Sequence, residues 1–135
     1  MVIAIIGILA AIAIPSMFHY IQKARVVRTI ADMKSIEQTL INYSLSKGQF
    51  PESLDAVGCG DLTDGWGNPY QYTRVAGNPV GKLRKDRSMV PVNTDFDLYS
   101  KGKDGRSVSP FTARASRDDV VRANNGGYFG LVKNY

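Results

Sequence analysis

Asp95 and Asp97 come nearest, in this 135-residue chain, to a pair of catalytic carboxylates. At that spacing they share one face of an extended strand. General acid–base chemistry needs such groups held in contrasting environments, and it needs partners, which the sequence scarcely offers. There is one histidine, His19, and one cysteine, Cys59. With one of each, no Ser/His/Asp triad, Cys/His pair or zinc ligand set is supported, and no CxxC exists for redox chemistry. No catalytic residue is assigned. Cys59 cannot close an intramolecular disulfide and reads as a small buried residue in a loop. His19 follows an apolar run and reads as a residue at a membrane–water boundary. Trp66 stands at a turn, where core packing is the expected role and stacking on a ligand the alternative.

The net charge is +5. A nucleic-acid binder concentrates such charge on one helix or stripe; here the basic residues are scattered, and no nucleic acid is expected as a partner. One looser cluster, Arg74, Lys82, Arg84, Lys85 and Arg87, reads as a solvated loop, with phosphate or lipid headgroup binding as the other reading.

The elements that must position these residues divide the chain in two. Met1 to Ile14 contains no polar side chain. That run alone is shorter than the ~20 residues that span a bilayer, but Ser16 to Tyr20 extends it, Tyr20 suits the interface, and Lys23, Arg25 and Arg28 form a basic flank. In a cleavable signal peptide the charge precedes the apolar core and a small-residue cleavage site follows it. Here the charge comes after and the periodicity runs on, so the segment reads as an anchor. From Val26, apolar residues recur at Ile30, Met33, Ile36, Leu40 and Tyr43, which makes one stripe on a helix. Gly48 and Pro51 end it. A helix from the start to Ser46 would be about 70 Å long, more than a domain of this size can cover. Residues 1–22 are therefore read as a membrane-spanning or filament-core segment, and 23–135 as a globular domain that includes the amphipathic half of the helix. Val26, Ile30, Met33, Ile36 and Leu40 should face the domain, with Lys34 and Glu37 outside. The rest is loop-rich with short strands: Tyr70–Val75 alternates as a half-buried or edge strand does, and Phe96–Ser100 is a second. The fold class is α+β, a long helix packed on a small antiparallel sheet.

The apolar run Met1–Pro15 closely resembles the N-terminal helix of type IV pilins and pseudopilins. Those proteins, once processed, begin with a Phe-Thr-Leu-Ile-Glu-Leu stretch. The resemblance thus places the prepilin peptidase site, the methylated first residue and the registry glutamate upstream of Met1. A second resemblance narrows the family. Asp64-Gly65-Trp66-Gly67-Asn68-Pro69-Tyr70 looks like the Asp-Pro-Trp-Gly-Asn-Pro-Tyr segment of major type II secretion pseudopilins, with Gly65 where Pro is common. Phe96 to Gly105 looks like their strand and Gly-x-Asp-Gly turn, and Asp118-Asp119-Val120 like their Asp-Asp-Ile segment. The stretches Arg74–Asn93 and Asp104–Asp118 look longer than usual.

The resemblance implies a pilin-like subunit of a type II secretion pseudopilus, a piston or scaffold for export of folded proteins, with a type IV pilus subunit for adhesion, motility or DNA uptake as the alternative. A third class, a membrane-anchored periplasmic enzyme or binding module, would need a pocket with convergent polar groups. The implied setting is an inner-membrane single pass with the domain in the periplasm, and a filament in the periplasm or at the cell surface. The implied partners are further copies of the chain in a helical homopolymer, minor pseudopilins, the inner-membrane secretion platform, membrane lipid before assembly, and prepilin peptidase acting on the precursor. The filament core would be built from Ile5, Gly7, Leu9, Ala11 and Pro15. Gly7, Ala10, Ala11 and Ala13 fit either ordinary transmembrane composition or close helix packing. Pro15 fits either a static kink or a site where the helix unwinds on assembly, with helical hydrogen bonding broken between Gly7 and Pro15 in the filament. Major type IV pilins close their C-terminal loop with a disulfide, which one cysteine cannot do. The pseudopilin resemblance implies calcium instead, held by the side chains of Asp104, Asp118 and Asp119 and the backbone carbonyls of Lys101 and Arg106, in keeping with calcium's preference for hard oxygen ligands.

Overall fold

A computed structural model describes all 135 residues. One helix, α1 (Val2–Lys47), precedes four strands: β1 (Gln71–Arg74), β2 (Phe96–Ser100), β3 (Val120–Ala123) and β4 (Tyr128–Leu131). The strands pair in chain order into one antiparallel sheet. The architecture is thus the α+β one that the hydropathy pattern predicts, with β1 as an edge strand.

α1 has 46 residues and runs unbroken through Pro15. It stops where Gly48 adopts a left-handed conformation and donates its N–H to the Ser44 carbonyl. The two halves of the helix meet different surroundings. The N-terminal half is long and apolar enough to cross a membrane, and nothing in the subunit covers it. In the second half Met33, Ile36 and Leu40 are buried, and Val26 and Ile30 pack partly buried on the same core, while Lys34 is exposed as expected. Glu37, expected outside, is instead half-buried, because it accepts Nε of the buried Arg122. Thr29 also lies on the buried face. Its hydroxyl donates to the Arg25 carbonyl at 2.7 Å and accepts the Gly65 N–H at 3.0 Å. That contact accounts for glycine at position 65: a Cβ there would sit 2.7 Å from the Arg25 carbonyl oxygen, and proline would have no N–H to donate.

The main core joins Met33, Ile36 and Leu40 of α1 to Phe96, Leu98 and Val120 of the sheet, with Leu54, Cys59 and Tyr70 filling in from the loops. Cys59 is buried there, as expected of a structural thiol. Leu40 has no exposed surface, whereas Leu45 is 79% exposed. Leu40→Ala should cost about 2–5 kcal/mol through lost burial and the cavity left behind, and Leu45→Ala less than ~0.5 kcal/mol, when both are compared by denaturant unfolding.

The C-terminal third is more ordered than its sequence indicates. Asn124-Asn125-Gly126-Gly127 is the turn of a β3–β4 hairpin, with positive φ at Asn124, Asn125 and Gly126. The face of the sheet turned away from α1 is not left to solvent. Val121 and Ala123 pack there with Val92, Phe111 and Val132. The two long stretches supply this cover and are laced to each other: Lys85 N–H donates to Ser109 at 3.2 Å, and Phe111 N–H donates to the Lys85 carbonyl at 2.8 Å.

Candidate functional site

Two regions carry the residues singled out by sequence. The first is the apolar half of α1. Ile5 and Leu9 are 57% and 61% exposed. Gly7, Ala11 and Pro15 are exposed as well, and a Cβ on Gly7 would meet open space. Residues 2–15 of this 46-residue helix therefore present hydrocarbon on every side, a surface suited to lipid or to other apolar helices.

The second region is the C-terminal loop. The tight turn at Trp66-Gly67-Asn68 is built around the buried carboxylate of Asp64, which accepts the N–H groups of Trp66 and Asn68 at 2.9 Å each and the hydroxyl of Ser100. Ser100 in turn accepts the Gly102 N–H, and the Asn68 amide donates to the Gly102 carbonyl, both at 3.0 Å. The two motifs of the pseudopilin resemblance thus meet in space. Trp66 packs partly buried on the core and donates its indole N–H to Gln22 of α1 at 2.9 Å, a packing role. Gly102 has φ +66° and is pressed against the Asp118 backbone, so any side chain there would collide.

Of the five residues expected around a cation, Asp104 and Asp118 come together. The Asp104 N–H donates to Asp118 Oδ2 at 3.0 Å, and the Arg106 N–H donates to Asp104 Oδ1 at 2.8 Å. Burial raises the Asp118 carboxyl, and the Asp104 carboxylate adds to that. Lys101 is half-buried at the end of β2, and Arg106 is exposed. Asp119 does not join them. It is fully buried, and its Oδ2 accepts Arg84 Nη2 at 2.8 Å and the Ser107 hydroxyl. Burial pushes its carboxyl up to about 6, against the pull of Ser107 and Arg84. No group of three acidic, histidine or cysteine side chains is gathered for a metal ion. Calcium takes six to eight oxygens at about 2.3–2.6 Å, and a guanidinium already contacts one of the three carboxylates expected to hold it. As packed, the three carboxylates form no calcium cage, with Oδ2 of Asp119 taken by Arg84 and its Oδ1 buried without a partner.

Arg84 therefore needs correction: it is not part of a solvated basic loop but 3% exposed. Lys82 and Arg87 are exposed as expected, and Arg74 reaches Glu52 and the Phe50 carbonyl. Asp95 and Asp97 do not form a catalytic pair. Asp95 accepts both Nη groups of Arg122, and Asp97 accepts the Arg84 N–H at 2.6 Å and the Asn93 amide at 3.0 Å. Arg122 is the other functional side chain that sequence reasoning missed. Nothing local marks it, because its partners Asp95 and Glu37 lie 27 and 85 residues away.

Compared with known proteins, residues 16–113 match the family model described as Type II secretion system (T2SS), protein G. The chain is similar to the type II secretion system core protein G of Klebsiella pneumoniae, at 25% identity over 88% of this chain and 84% of that protein. It is similar to the protein of the same name from Pseudomonas aeruginosa, at 29% over 78% of each. A fimbrial protein of Neisseria meningitidis serogroup A is 29% identical over 92% of this chain and 74% of its own length. No solved structure matches.

Proposed function

The chain belongs to the type II secretion system protein G family, and we propose how its two halves serve that membership. It is a structural subunit of the type II secretion pseudopilus. The observation that carries the reading is the bare apolar half of α1, attached to a compact domain whose own core closes without it. Such a segment has two compatible solvents, the bilayer and the interior of a bundle of identical helices. We read it as a single inner-membrane pass before assembly and as filament core afterwards, with the domain in the periplasm. Ile5, Gly7, Leu9, Ala11 and Pro15 would then face other subunits. The subunit holds α1 continuous through Pro15, and Pro15 lacks the N–H that would tie it to the preceding turn. Unwinding between Gly7 and Pro15 is the change proposed to accompany assembly. Minor pseudopilins, the inner-membrane platform and prepilin peptidase are the further partners. No catalytic role is proposed, because the carboxylates that could have formed a pair are each held by structural partners.

The fimbrial relative keeps a pilus subunit as the second reading. One experiment separates them. Deleting the gene in its own bacterium should stop export of folded enzymes and remove short filaments that carry this chain. Intact export together with loss of surface pili would replace the secretion reading with the pilus reading.

A further inference from the structure

We propose that the guanidinium of Arg84 is the resident cation of the C-terminal loop, occupying the role that the resemblance gives to calcium, so that the loop stays ordered without a metal ion.

The site engages both Nη groups of that side chain and leaves its buried Nε without a partner. Nη2 of Arg84 donates to Asp119 Oδ2 at 2.8 Å, and Nη1 donates to the Val108 carbonyl at 2.8 Å and to the Ser107 hydroxyl. Ser107 itself donates to Asp119. The guanidinium lies 4.3 Å from the Tyr99 ring centroid and 5.1 Å from that of Phe111. Its charge is thus held by one carboxylate and two aromatic faces. The side chains of Arg84 and Asp119 are 4% and 0% exposed. The backbone that delivers Arg84 is equally fixed: its N–H donates to Asp97 at 2.6 Å, and its carbonyl accepts the Val92 N–H at 2.9 Å.

The contacts Arg84 makes are those a loop-ordering ion would have to supply. Ser107 and Val108 lie in the stretch between Asp104 and Asp118, and Asp119 immediately precedes β3. One buried cation therefore ties the long segment before β2 to the long segment after it. Val108 is held further by Ser116, which both accepts its N–H and donates to its carbonyl. The loop is anchored to the C-terminus where the Val132 N–H donates to Asp119 at 3.0 Å and the Lys133 N–H to Arg117 at 3.1 Å. Asp104 and Asp118 are left to bind backbone amides at the loop's exposed edge. Both unusual lengths in the sequence have one explanation on this account. The Arg74–Asn93 stretch brings the cation, and the Asp104–Asp118 stretch wraps it.

The test uses the full chain in detergent micelles. Thermal unfolding and amide exchange across residues 105–118 are compared in millimolar calcium chloride and in chelator, for the unmutated chain, Arg84→Met and Arg74→Met. The unmutated chain should show the same Tm and the same protection in both solutions. Arg84→Met should lose protection in the loop and about 10 °C or more of Tm, because it strands a buried carboxylate. Arg74→Met should change little. A calcium-dependent rise in Tm or loop protection in the unmutated chain would overturn the proposal, showing that the unpartnered Oδ1 of Asp119 belongs to an ion site after all. Full loop protection in Arg84→Met would overturn it as well. If Arg84→Met does not fold, the comparison of calcium with chelator on the unmutated chain decides alone.

Discussion

Arg122→Met should destabilise the domain by about 3 kcal/mol or more, the low end of what breaking a buried ion pair costs, since its two carboxylate partners keep some access to water. Arg122 is 2% exposed. Its guanidinium donates Nε to Glu37 at 2.6 Å, Nη2 and Nη1 to the two oxygens of Asp95 at 2.7 and 2.8 Å, and Nη1 also to the Phe96 carbonyl at 3.1 Å. It lies 4.0 Å from the Phe96 ring centroid. Burial works to lower its pKa, but Asp95 and Glu37 outweigh that and push it up, so the charge is kept. One side chain on β3 thus fastens α1, the entry to β2 and the most buried aromatic of the core. Against a typical total stability of about 5–15 kcal/mol, such a loss lowers Tm by roughly 10–20 °C for a domain of about a hundred residues. Arg74→Met is the control. Its partner Glu52 has a side chain 86% exposed, and surface pairs are worth about 0–1 kcal/mol. Equal shifts for the two variants in a denaturant titration would show that the Arg122 cluster does not tie helix to sheet.

What the sequence disclosed, and what it withheld, follows from the range of the interactions. The helix was legible to within a residue of its end because its signals are local: an apolar stripe at steps of three and four, then Gly48 and Pro51. β1 and β2 were legible for the same reason, as short runs bounded by Gly, Pro and Asn. β3 was not. A strand covered on one face alternates apolar and polar residues, but Val120, Val121, Arg122 and Ala123 are all buried, because α1 covers one face and the long loops cover the other. The Asn-Asn-Gly-Gly turn was the available hairpin signal. Arg84 and Arg122 were illegible for a deeper reason. A buried arginine is spelled like an exposed one, and the carboxylate partners stand 35 residues away for Arg84 and 27 and 85 for Arg122. The candidate site was half legible in consequence: the Asp64 turn and the Gly102 turn were read as elements, but the buried Arg84 guanidinium between the loops left no local sign.

Leu9→Asp, or Ile5→Asp, should abolish both membrane residence and polymerisation while leaving the domain folded. The two effects separate because the two halves of α1 have separate solvents. Ile5 and Leu9 lie well before Gln22, where the domain begins its hold on the helix through Trp66. A charge at the centre of a bilayer-spanning helix costs about 2.5–3.5 kcal/mol on insertion scales. That is roughly a hundredfold against insertion, since 1.4 kcal/mol is tenfold. In a helical polymer the same carboxylate recurs in every subunit, so the cost of burying it is met again at each addition, together with repulsion between neighbouring copies. Substitution with another apolar residue, Leu9→Ile, keeps the hydrocarbon surface and should preserve both properties. The readouts are membrane fractionation, filament imaging and thermal unfolding of the domain, taken on the same preparations. Charged variants that fractionate with membrane and polymerise as the unmutated chain does would show that this surface is not what the bilayer and the filament share.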